Sequence, residues 1–77
     1  MSPETLRNLL AKQPFEPFRV TASSGETYDV RHPEMGWVTR NELLVGITER
    51  DGIPARYKTL ALLHITAVEP LDPTPAA

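Results

Sequence analysis

The chain has 77 residues, no cysteine and a formal net charge of −2 at neutral pH. That length admits a single domain with a small core, burying only about 60% of the surface an unfolded chain exposes. Disulfides and thiolate metal sites are excluded, and the interspersed, slightly acidic charge lacks the basic face of a dedicated duplex-DNA binder. No apolar run approaches the roughly 18 residues of a membrane span. The N-terminus lacks the basic-then-apolar order of a secretory signal, so a cytoplasmic protein is expected. A single core of this size rarely supplies more than about 3–5 kcal/mol, and self-association is expected to add to it.

The first element is a helix. Ser2-Pro3-Glu4 supplies a capping hydroxyl, a proline at the first helical position and an acid near the positive helix end. Leu6, Leu9 and Leu10 follow at helical spacing, and Pro14 stops the run, which predicts a helix over residues 3–12. A helix this short is marginal alone and must dock its leucines. Gln13 to Phe18 then reads as a stiff connector with two prolines, anchored by Phe15 and Phe18.

Phe18 to His32 reads as a β-hairpin. Apolar residues alternate at Phe18, Val20 and Ala22 and again at Tyr28 and Val30, the period of strands with one buried face. Both apolar sets share that face only if a three-residue loop, Ser23-Ser24-Gly25, pairs Val20 with Tyr28 and Phe18 with Val30. Gly25 then takes the left-handed third position of the loop. The same register sets Arg19 opposite Asp29 on the outer face.

His32 to Gly36 interrupts the second strand, with Pro33 and Gly36 marking a sharp corner. Trp37-Val38-Thr39 resumes it, Arg40-Asn41-Glu42 forms a short turn, and Leu43 to Thr48 is the third strand. Glu49 to Pro54 is expected to be an exposed, mobile loop, and Ala55 to Leu60 the fourth strand. That strand puts Arg56 and Lys58 on one face and Tyr57 and Thr59 on the other. Ala61 to His64 reads as one tight helical turn and Ile65 to Glu69 as the last strand, with Ile65 and Val68 in the core. Residues 1–70 thus form one domain, and the proline-rich tail 71–77 is expected to be disordered. The fold class is mainly β: an N-terminal helix followed by a strongly bent, five-stranded antiparallel small barrel of the Sm-like or SH3-like kind.

Catalytic and metal chemistry find little footing. His32 and His64 are the only imidazoles, with Glu34 near the first, and no HxH or HExxH spacing exists. Ser23 and Ser24 fall in the hairpin loop, where turn chemistry is their ordinary role. The glycines are scattered, so no phosphate-cradling loop is present. No enzyme activity, cofactor or metal is expected. Arg40, Arg56 and Lys58, with Tyr57 and Trp37 as stacking surfaces, fit single-stranded nucleic acid, which pairs positive grooves with aromatic platforms. The competing reading makes these cations a solvated outer face interleaved with Glu42, Glu49 and Asp51.

Three stretches carry a resemblance to the Sm-like fold, and within it to the bacterial Sm-like RNA chaperones of the Hfq type. They are the helix and connector before a first strand ending at Gly25, the hairpin from Trp37 to Ile47, and Tyr57-Lys58 with the closing segment His64 to Pro70. Tyr57-Lys58 is similar to the start of that family's YKHA sequence, although here Thr59 to Leu63 stand before His64. Ser2-Pro3-Glu4 occupies the place of the family's Gln-Asp pair. The layout QPFEPFR…SG…Y.VRHPE is also similar to that of small uncharacterised bacterial proteins. The Sm-like resemblance implies a homo-oligomeric ring joined by pairing between strand edges 55–60 and 65–69. It also implies contact with single-stranded RNA, for which Arg40, Tyr57, Lys58 and His64 are the candidate residues. The alternative is a protein-interaction or accessory module whose partner covers a strand edge or the apolar face of the helix.

Overall fold

The structure is a computed structural model describing residues 1–50 and 53–71, with side chains described outside residues 48–50 and 53–55. Its helix, α1 (Pro3–Ala11), begins as the sequence reading expects: Ser2 is extended and its hydroxyl accepts the Thr5 amide at 3.2 Å. It ends one residue before the predicted boundary, because Lys12 is already extended (φ −65°, ψ 140°). Leu6 is fully buried, and Leu9 and Leu10 pack half-buried against the same core. The apolar stripe of α1 is thus consumed within its own chain. In the connector, Phe15 lies against Phe18 with ring centroids 6.1 Å apart and planes tilted by 56°.

Strands β1 (Phe18–Ala22) and β2 (Thr27–Val30) pair in the expected register, Phe18 with Val30, Val20 with Tyr28, and Arg19 with Asp29. The loop is closed by the Ala22 amide donating to the Glu26 carbonyl and the Gly25 amide donating to the Ala22 carbonyl, each at 2.9 Å. Gly25 has φ +94°, a conformation that costs an L-residue strain and glycine nothing. Phe18, Val20, Ala22 and Val30 are buried and Tyr28 is half-buried, so alternate residues do point to a common interior. On the outer face Arg19 grips Asp29 with two bonds, Nε to Oδ1 at 2.8 Å and a terminal nitrogen to Oδ2 at 3.3 Å.

The second strand does not continue through its corner. Pro33–Met35 forms a 3-10 turn, and only then does β3 (Gly36–Val38) begin. Proline has no amide for a ladder, and the turn takes three residues out of the extended state. The result is six strands in place of five and two separate antiparallel sheets of three strands, ordered β2-β1-β6 and β3-β4-β5, without a closed barrel. Gly36 is itself extended (φ −134°, ψ 139°), so the bend expected there belongs to the preceding turn. What Gly36 provides is room: a β-carbon at that position would lie 3.1 Å from Leu10 Cδ2 of the helix.

The next two strands are longer than the sequence reading allowed. β4 (Glu42–Arg50) and β5 (Ile53–Ala61) pair almost end to end, so most of the expected loop from Glu49 to Pro54 is strand; Asp51 and Gly52 lie outside the described residues. The register slips on either side of Thr48, where its partner Pro54 has no amide to donate. A 3-10 turn, Leu62–His64, leads into β6 (Ile65–Pro70), which pairs with β1. Here the register shifts between Thr21, opposite Ala67, and Ala22, opposite Ile65. The extra residue, Thr66, forms a bulge that lets Ile65 and Val68, three apart, both turn inward. Its hydroxyl donates to the Thr21 carbonyl at 3.2 Å. Beyond β6, the half-buried Leu71 donates its amide to the Pro17 carbonyl, and the tail residues 72–77 lie outside the described residues.

The core comprises Leu6, Phe18, Val20, Val30, Met35, Leu43, Val45, Leu60, Leu62 and Ile65, with contributions from both sheets, α1 and both 3-10 turns. No polar or charged side chain is buried among the described residues.

Candidate functional site

Three turns meet at one end of the molecule. The Leu62 amide donates to the Asn41 carbonyl at 2.9 Å, tying the β5–β6 turn to the β3–β4 turn. The Ser23 amide donates to the His64 carbonyl at 2.7 Å, tying it also to the hairpin loop. The β3–β4 turn is held by the Glu42 amide donating to Thr39 Oγ1 at 3.0 Å. Arg40 and His64 are therefore carried on turns that are bonded together, and both are exposed. His64 Nδ1 lies 3.4 Å from Ser23 Oγ, a contact that nothing in the sequence signalled. Among the described residues, no carboxylate is bonded to that imidazole, so the orienting group that a serine nucleophile requires is not in place.

Tyr57 and Lys58 stand elsewhere. Tyr57 pairs with Gly46 and lies four positions before Ala61, about 13 Å along the strand at roughly 3.3 Å per residue. As adjacent strand residues, Tyr57 and Lys58 point to opposite faces of the sheet. Tyr57 shares its face with Leu44 and Trp37, which is paired to Leu44. That outer face is open to solvent, with Tyr57 64% and Trp37 48% exposed. Lys58 shares the opposite face with its partner Val45, and Arg56 with Ile47. The four predicted contact residues thus divide into a pair at the turn end and two residues on opposite faces of β5.

The fold also fixes which backbone edges are open. β2 and β6 end one sheet and β3 and β5 the other, so each of these four has a strand partner on one side only. The two edges expected from the sequence are among them, bounded as Ile53–Ala61 and Ile65–Pro70, and the edges of β2 and β3 are two more. A cleft of about 440 Å³ opens between β2 and β4, lined by Tyr28, Asp29, Arg31, His32, Met35 and Ile47 among others. Several of its polar groups already have partners: the Tyr28 hydroxyl donates to Glu26 Oε1 at 2.6 Å, and Asp29 accepts from both Arg19 and Arg31. The hydrogen bonds from Arg19, and then its charge, hold the Asp29 carboxyl below its usual range. Hydrogen bonding to Glu26 raises the Tyr28 hydroxyl above its own range. These shifts mark structural pairs on the hairpin.

Among the described residues, no group of three or more His, Cys, Asp or Glu side chains is placed to hold a metal ion, and no helix is long and apolar enough to cross a membrane. Compared with known proteins, the chain matches no protein-family model, no curated protein and no solved structure.

Proposed function

We propose that this chain is a non-enzymatic, self-associating binding module of the Sm-like kind, assembled through the free edges of β5 and β6. The observation that supports the reading is the topology: β5 and β6, the strands that the ring resemblance needs, are two of the four that end the sheets. An open edge of nine residues is a template for another strand, and pairing β5 of one copy with β6 of the next covers those two edges. Such head-to-tail contact closes into a ring when the rotation between copies allows it. The helix face is a poorer docking surface, since Leu6 is already internal.

Binding of single-stranded RNA is the finer part of the proposal. It draws support from Arg40 and His64 both being exposed on turns that are bonded together at one end of the molecule. A ring would repeat that pair once per copy around a common axis. Sedimentation equilibrium comes first: a multimer is expected, and a monomer at all accessible concentrations overturns the assembly. Fluorescence anisotropy with a labelled single-stranded oligonucleotide comes second. RNA binding must weaken as salt rises, because neutralised phosphates release counterions. An affinity that stays flat with salt, or a multimer that ignores RNA, leaves the protein-interaction module as the function.

A further inference from the structure

Leu63 is the most exposed large apolar side chain among the described residues, at 91%. A lone exposed leucine is ordinary on a protein surface, but this one is held outward by its backbone. It sits in the middle of the 3-10 turn Leu62–His64, and the residue on either side is pinned to another turn. The Leu62 amide donates to the Asn41 carbonyl, and the His64 carbonyl accepts the Ser23 amide. The inward place at this turn is already taken by Leu62, which belongs to the core. The turn also joins β5 to β6, so Leu63 stands two residues beyond the end of one edge strand and two before the start of the other.

The inference rests on the pairing of β5 with β6 of another copy, and it gives that pairing a direction. When β6 lies antiparallel on β5 of the next copy, every register that keeps its six residues within the nine of β5 brings Leu63 level with residues 60–63 of that copy. That stretch, Leu60-Ala61-Leu62-Leu63, has no polar side chain. Leu60 and Leu62 turn into their own core, which leaves Ala61 and Leu63 to meet the incoming leucine. Parallel pairing would bring Leu63 level with residues 51–54 instead, a stretch that begins Asp51-Gly52. Antiparallel ladders are also slightly the more stable per residue. We propose that Leu63 is the apolar anchor of the contact between copies, packing on Ala61 and Leu63 of the neighbouring copy and so setting the two strands antiparallel. The ends where the turns meet then lie side by side in successive copies.

Sedimentation equilibrium on the full chain compares the wild type with Leu63→Glu and Leu63→Met. The side chain is exposed in a single copy, so neither change should move the urea midpoint measured in dilute solution. Leu63→Glu should weaken association by about tenfold or more per contact, and Leu63→Met should leave it near the wild type. The chain has no cysteine, so Leu63→Cys introduces a single thiol. In the antiparallel assembly the thiols of neighbouring copies lie no more than three residues apart along the strands, about 10 Å, and a short bis-maleimide should link them into covalent dimers. In a parallel assembly they lie nine or more residues apart, about 30 Å, beyond its reach. A multimer that Leu63→Glu leaves intact, or one whose Leu63→Cys form yields no covalent dimer, overturns the anchor while leaving self-association standing. A wild-type monomer overturns both.

Discussion

Replacing Gly36 by alanine separates two reasons for a glycine at the start of β3. Backbone freedom is not needed there, because φ −134° and ψ 139° are open to any residue. The new methyl would meet Leu10 Cδ2 at 3.1 Å and Cδ1 at 3.5 Å, with Val30 Cγ1 at an ordinary 3.7 Å. Overpacking costs about 1–3 kcal/mol, and the half-buried Leu10 can yield a little, which puts the cost near the lower end. Losing the glycine's unfolded-state entropy returns about 0.4–1 kcal/mol, so Gly36→Ala should destabilise by roughly 0–1 kcal/mol. In a Leu10→Ala background the obstruction is gone, and the same change should stabilise by about 0.4–1 kcal/mol. The two substitutions are therefore coupled by on the order of 1 kcal/mol. Urea unfolding followed by the fluorescence of Trp37, the single tryptophan and the next residue in β3, reads this as a midpoint difference of about 1 M. An equal effect of Gly36→Ala in both backgrounds would refute the helix-packing explanation.

Gly25→Ala has open space for its β-carbon yet must hold φ +94°, so it should cost about 1–2 kcal/mol, measured as a lowered urea midpoint without loss of the fold. Leu6→Ala opens a cavity beneath α1 and should cost about 2–5 kcal/mol, enough to leave the chain partly unfolded by circular dichroism at room temperature. Asp29 has a depressed folded pKa, so its contribution to stability is present above its unfolded pKa of about 3.9 and is lost as pH falls through the lower folded value. Asp29→Asn should lower the midpoint near neutral pH and flatten its decline on acidification. An unchanged acid limb would remove the Arg19–Asp29 pair from the stability account.

The hairpin was legible because its register is overdetermined. The alternation from Phe18 to Val30, the glycine at the third loop position and the Arg19–Asp29 pair all point to one pairing. The helix start was legible for a similar reason, since Ser2 and Pro3 act within one turn. What escaped depends on contacts remote in sequence. Polar residues from Glu49 to Pro54 suggested a loop, but ladder hydrogen bonds use the backbone and are largely indifferent to side-chain polarity, so β4 and β5 extend through most of them. Pro33 was recognised as a corner, but the full break into two strands and two sheets required the 3-10 turn. The bulge at Thr66 could not be seen in a strand whose apolar residues sit three apart. Among the candidate contact residues, Arg40 and His64 lie on turns that a backbone hydrogen bond between Leu62 and Asn41 ties together. Tyr57 and Lys58 are separated by the two-residue period of the strand that carries them both.

The proposed function depends on β5 and β6 being open in a single copy and covered in the assembly. Amide hydrogen exchange measured over a series of protein concentrations tests this most directly. Alternate amides of Ile53–Ala61 and Ile65–Pro70 should exchange rapidly in dilute solution and become protected together as concentration rises, while β1, paired on both sides, stays protected throughout. Exchange in β5 and β6 that is independent of concentration, in a chain that sediments as a monomer, would contradict it.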